Sequence, residues 1–281
     1  MKKLLVVVIV LATVAGNSVA TPLIGRSGAL SKPFQAFAWA NFGYNQTAVS
    51  YNWVNKKYET PDPFVSTKTT SCDVTVGLGL PFKLELDVVA PLAMKEDTLK
   101  SSGIGDAMVY ARWGLFQGPL LPFKAALVLG ANLPTTDTTV PIAVRLGDRT
   151  TDIGVGAAVV TSSFFGFVGH ARAGYWVNGK PNDTTKVGNM FEYLVVLDYS
   201  ITKKLAPELA LSGYARSQTE YNGTPKPTSE VSQHALNFLL MWKPLPMLVI
   251  RPKAAIPLTA MSKGGSLPDW YAGLDVWVSV P

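Results

Sequence analysis

The sequence predicts an all-β protein, an antiparallel transmembrane β-barrel of about 12 strands. Three observations predict it. Residues 1–20 have the order of an export signal, apolar residues recur at every second position over most of the remaining chain, and short connections take turns with long polar ones.

Lys2 and Lys3 precede an apolar run from Leu4 to Gly16, and Ser18, Val19 and Ala20 supply small residues before Thr21. That order is a secretory signal, too short in its apolar part to span a bilayer as a helix, with cleavage expected after Ala20. No cysteine stands just after the site, so a lipid-anchored form is not expected. Of 25 basic and 19 acidic residues, Lys2 and Lys3 leave with the signal, which lowers the formal charge from +6 to +4. The basic residues form no cluster and the chain is exported, so no nucleic-acid partner is expected. The single Cys72 excludes an intrachain disulfide. The chain is 48% hydrophobic, yet no run past the signal reaches the roughly 18 residues a membrane helix needs. Apolar content delivered by alternation belongs to sheet.

Residues 21–33 are polar and end at Pro33; they read equally as a periplasmic lead-in or a small lumen plug, and 34–281 read as the barrel. The first strand, 34–44, sets Ala36, Ala38, Ala40 and Phe42 against Gln35, Phe37, Trp39 and Asn41. Residues 45–64 turn polar and suit a long outer loop. The second strand, 65–80, sets Val74, Val76, Leu78 and Leu80 against Asp73, Thr75, Gly77 and Gly79. Pro81-Phe82-Lys83 turns it into the third, 84–94, where Leu86, Val88 and Ala90 oppose Glu85, Asp87 and Val89. Segments joined so tightly must be antiparallel neighbours.

The rhythm then repeats. A polar linker, 95–102, leads to the strand 103–116, the turn 117–122 and the strand 123–133. After the loop 134–148 come 151–164 and 167–177, joined at Phe165-Gly166. After the loop 178–188 come 189–201 and 207–221, joined near Lys203-Lys204. The loop 222–229 precedes 230–243 and 247–258, joined at Pro244-Leu245-Pro246, and 269–280 is the last strand. An even count leaves both ends on the short-turn side, and closure of last on first removes both sheet edges.

Alternation alone does not say which face is outside. The polar faces carry mid-strand charges of both signs, the apolar faces are rich in Ala, Val and Leu, and aromatics gather towards strand ends. Trp113, Phe123, Tyr199 and Trp242 fall at the short-turn side, with Phe191 and Tyr193 nearer the loops, as two interfacial girdles would place them. The apolar faces are therefore expected to meet the lipid bilayer of the cell outer membrane.

On that parity the lumen face gathers Glu85, Asp87, Asp106, Tyr110, Arg112, Lys124, His170, Arg172, Glu192, Asp198, Arg216, Arg251, Lys253 and Asp275. Such residues either line a conduction path or fill the interior as a paired scaffold. With an open lumen, Arg112→Ala is expected to leave assembly largely intact and to change ion selectivity.

Gly103-Ile104-Gly105-Asp106 leads into no helix pattern, so it is not a phosphate cradle. Gly103, Gly105, Asp106, Ala111, Arg112 and Trp113 instead resemble a Gly-x-Gly-Asp signature trailed by a small, a basic and an aromatic residue. That signature belongs to outer-membrane transporters grouped as the phenol-degradation MetA-pathway family. Residues 84–92, charged on one face and ending Ala-Pro-Leu, are similar to that family too. The resemblance implies a passive pore for small-molecule solutes, aromatic or hydrophobic ones included. Outer-membrane assembly machinery is the expected insertion partner, although the chain ends Val-Pro and its nearest aromatic is Trp277. The alternative is a non-conducting barrel whose outer loops, chiefly 45–64 and 134–148, bind a partner or surface.

An enzymatic reading needs a paired Ser and His. His170 falls on the lumen face near the short turns and His234 on the lipid face near the loops, and neither has a Ser or Asp at a recognisable spacing. No catalytic residues are expected, and without paired histidines at ligand spacing no metal or cofactor is expected.

Overall fold

Side chains that alternate in sequence alternate across a wall of twelve long strands in the computed structural model, which describes residues 29–60, 67–96, 100–117, 121–136 and 150–280. These are β1 (Ala36–Asn52), β2 (Lys68–Leu80), β3 (Leu84–Glu96), β4 (Ala107–Phe116), β5 (Phe123–Leu133) and β6 (Asp152–Thr161). They continue as β7 (Phe167–Val177), β8 (Met190–Tyr199), β9 (Leu205–Arg216), β10 (Val231–Leu245), β11 (Leu248–Pro257) and β12 (Ser266–Val280). Each pairs antiparallel with its sequence neighbours. β12 pairs back onto β1, from Ala36 opposite Val280 to Ser50 opposite Ser266, and closes the barrel. The signal and the cleavage expected after Ala20 lie outside the described residues, as does most of the loop 134–148.

The two faces separate cleanly. In β4, Met108, Tyr110, Arg112 and Gly114 are buried, whereas Ala107, Val109, Ala111, Trp113 and Leu115 look outwards. Val76, Leu86, Val88, Leu129, Val155, Val195, Leu209, Phe238 and Ile256 are all exposed, and together they wrap the outside. A water-soluble surface rarely carries an apolar patch beyond a few hundred Å², so a continuous apolar band is the lipid-facing surface of an outer-membrane-type barrel. Trp113, Phe123, Tyr199 and Trp242 are exposed near the short turns, and Phe191, Tyr175 and Trp270 near the other end, which completes two girdles.

Several polar stretches expected as loops are strand. β1 does not stop near residue 44 but runs to Asn52, and a further strand, Lys57–Glu59, folds back on it. Likewise Lys100–Ile104, of which 100–102 were expected as linker, pairs with Leu92–Glu96 of β3, and the strand expected over 103–116 is broken at Gly105 and Asp106. The loops 178–188 and 222–229 contribute to a small sheet of Thr185–Lys186, Glu220–Tyr221 and Thr224–Pro225. The reason is environmental. Once a strand leaves the lipid band both of its faces meet water or a lumen, and hydrogen bonding along the ladder no longer requires an apolar partner face.

Candidate functional site

The lumen is filled on one side and open on the other. Where β3 to β8 face inwards, Val89, Met108, Tyr110, Val128 and Trp176 pack into a buried cluster. The Trp176 ring lies flat on Gly154 in the neighbouring strand, where any Cβ would meet the indole at about 2.6 Å, so glycine there creates the space for the ring. Trp176 Nε1 donates to Glu192 Oε1 at 2.9 Å. Register places Glu85 directly opposite Arg112, and the guanidinium donates to the carboxylate at 2.8 Å with both side chains almost fully buried. Charge is tolerable there because it is paired.

Glu85, Asp87, Tyr110, Arg112 and Glu192 therefore belong to the packed half and not to the cavity wall. This corrects the expectation for Arg112. It is a buried partner of Glu85 and does not face the cavity, so its removal is expected to cost the barrel stability. Asp106 is buried at the outer end of β4 and accepts from the Thr136 N–H at 3.1 Å. Lys124 is half-buried near the short turns, and Arg216 stands at the outer end of β9.

The open half is a cavity of about 670 Å³ against β7 to β12, β1 and β2. Of the residues expected on the lumen face, His170, Arg172, Asp198, Arg251, Lys253 and Asp275 line it. Strand register sets a charged belt across this wall, with Asp73 opposite Asn41, Asn41 opposite Asp275 and Asp275 opposite Arg251. Arg251 donates to Asp275 Oδ2 and to Glu208 Oε2, each at 3.0 Å. Lys253 Nζ donates to Asp275 Oδ1 at 2.8 Å and to Asn41 Oδ1 at 2.6 Å. Glu208 and Asp198 face one another across the β8–β9 pair, and Arg251 and His170 flank them, His170 Nε2 lying 3.1 Å from Asp198 Oδ2.

Around the belt Trp39, Leu194, Val196, Leu239, Met241, Val249 and Trp277 give the wall apolar stretches, interrupted by polar side chains such as Ser212, Tyr214 and Asn237. The Trp39 Nε1–H has no acceptor among the described residues. Over the whole cavity Asp73, Asp198, Glu208 and Asp275 are matched by Arg172, Lys243, Arg251 and Lys253. Gln233 and Lys243, near opposite ends of β10, both line it, a separation of roughly 25 Å in depth for a strand tilted about 40°.

The lead-in enters this space. Ala29, Leu30 and Ser31 line the cavity, and the Ser31 N–H donates to Glu85 Oε2 at 2.7 Å. The Phe34 N–H donates to Gly79 O at 2.7 Å, and a side chain at Gly79 would collide with the Lys32 carbonyl. Gly79 thus serves close approach of another backbone, whereas Gly77 makes room for the Phe37 ring.

Sequence reading missed Glu208, Asn41 and Asp73 as members of one belt. Glu208 shares the two-residue phase of Ser212 and Tyr214, so its face was available from the pattern. The reading of the histidines also needs correction. Ser232 Oγ lies 2.9 Å from His234 Nε2 and the Tyr193 hydroxyl 2.8 Å from its Nδ1. Two-residue spacing on a strand puts Ser232 and His234 on one face, and that was the overlooked signal.

The barrel fold has counterparts among known proteins. The fold matches the COG4313 outer membrane channel from Pseudomonas putida F1 with a TM-score of 0.80 at 10% identity, covering 92% of this chain and 100% of that one. It is also similar to the β domain of the Bordetella autotransporter BrkA, with a TM-score of 0.53 at 9% identity over 88% of this chain and 100% of that one. The NanC porin gives 0.52 at 9% identity over 87% and 99%. Among curated proteins nothing matches significantly. The family described as "Putative MetA-pathway of phenol degradation" matches residues 68–256, more than half of the sequence, and the chain belongs to that family.

Proposed function

We propose that the protein is a passive outer-membrane channel for small solutes, with neutral aromatic or hydrophobic molecules as its preferred cargo. The observation that carries this reading is the cavity reaching from the level of Gln233 to that of Lys243 inside a closed barrel. The apolar stretches of its wall suit an aromatic ring, and the Trp39 Nε1–H supplies a donor for a hydroxyl or carbonyl on the same solute. Because its acids and bases are matched, the path discriminates by size and polarity more than by charge. Family membership supports the same reading.

A signal cleaved after Ala20 delivers the chain, and the outer-membrane assembly machinery inserts it. The lead-in narrows the periplasmic mouth through its contacts with Glu85 and Gly79.

The test is flux. Purified mature protein in planar bilayers and liposomes is expected to conduct and to pass neutral aromatics faster than sugars or fatty acids of similar size. Absence of both conductance and flux overturns the channel. Deletion of residues 21–32 is expected to raise unit conductance, and unchanged conductance would remove the lead-in from the path.

A further inference from the structure

Three side chains on the outward parity of the barrel wall form a relay, and one of their residues, His234, also borders the lumen cavity. Ser232 and His234 occupy the lipid face of β10, with Ser232 Oγ 2.9 Å from His234 Nε2, and the Tyr193 hydroxyl of β8 is 2.8 Å from His234 Nδ1. Tyr193, Gly213 and His234 stand side by side across β8, β9 and β10. Any Cβ at Gly213 would overlap both rings, so glycine is what lets Tyr193 reach His234 over the intervening strand. All three side chains are partly accessible. His234 stands roughly 20 Å above the inner-girdle Trp242 along β10, which is the depth of the outer interface where acyl esters lie.

We propose that this relay is an esterolytic site acting on acyl esters of lipids in the outer leaflet. A hydroxyl within hydrogen-bond reach of an imidazole, itself oriented by a third group, is the arrangement of an activated nucleophile. Ser232 Oγ attacks the acyl carbonyl carbon while its proton passes to His234 Nε2. The carbonyl reforms as the bond to the lipid alkoxide breaks, and His234 returns the proton to that alkoxide. Water, activated by His234, then attacks the Ser232 acyl ester, releasing the fatty acid and restoring the hydroxyl. Tyr193 is a positioning residue: its oxygen accepts the Nδ1–H and fixes the tautomer that leaves Nε2 free to accept. The Ser232 N–H is bonded to Lys263 O at 2.7 Å, so it does not serve the developing oxyanion, and lipid turnover is expected to be slow relative to reaction with an activated phosphonate.

The experiment uses the mature barrel in detergent with a fluorophosphonate probe, then peptide mapping. Labelling at Ser232 is expected, absent in Ser232→Ala and slower by roughly a hundredfold in His234→Asn. Gel mobility and conductance report folding of each variant independently. Tyr193→Phe, which keeps the ring, is expected to shift the pH profile of labelling. In vesicles whose outer leaflet is either phosphatidylethanolamine or lipid A, fatty-acid release identifies which ester is taken. A parent barrel unlabelled at Ser232, or one releasing fatty acid from neither vesicle, overturns the proposal.

Discussion

Arg112 and Lys253 are both inward-facing cations, yet removing them should do different things. Arg112→Ala leaves Glu85 charged and buried, at an expected cost of about 3–5 kcal/mol in equilibrium refolding. Lys253→Met leaves Asp275 still bonded to Arg251, so the barrel persists while the cavity loses one positive charge. Reversal potentials are expected to move towards cation selectivity. Gly154→Ala pushes a methyl group into the Trp176 ring and is expected to cost about 1–3 kcal/mol, read in the same refolding assay. In the outer hairpin, hydrogen bonds from Asn55 and Asn52 hold the Glu59 carboxyl below its ordinary pKa. A carboxyl lowered on folding stabilises above its unfolded pKa, and that contribution disappears as pH falls through the folded value. Amide exchange across 52–59 is therefore expected to accelerate on acidification below the usual carboxylate range, and Glu59→Gln should abolish the pH step.

At the scale of the strand, face assignment was legible because parity is a local property. Val109 and Arg112 are three residues apart, hence on opposite faces, and the structure puts one against lipid and the other against Glu85. Val109→Arg is accordingly expected to cost roughly 2–4 kcal/mol of barrel stability in a lipid refolding titration. Strand ends were harder to read. Asn45 to Asn52 and Lys100 to Ser102 look like loop because strand recognition leaned on apolar alternation, which ends where lipid ends. Ser232 and His234 were within reach of the same parity argument; the hydroxyl of Tyr193 was not, because it comes from β8, two strands away, and reaches His234 across Gly213.

Across the whole barrel, what a sequence pattern conveys is which residues point inwards, and what it withholds is which of them share a level. The belt depends on register: Asn41 meets Asp275 only because Ala36 pairs with Val280 at the seam. Nor does parity distinguish a filled half from an open one, since that depends on where large rings such as Trp176 find glycines to lie upon. The seam also bears on how the barrel forms. Lys253 donates to Asn41 across 212 positions of sequence, and this contact forms only when the two ends of the sheet meet. Such long-range closure is entropically the most demanding pairing in the chain and the slowest to search for. In an unclosed sheet Lys253, on β11 one strand in from the margin, keeps Asp275 but lacks Asn41 as an acceptor. Zipping the margin supplies that acceptor at the same moment, so the hydrogen bonding of the belt is completed only by closure of the ring.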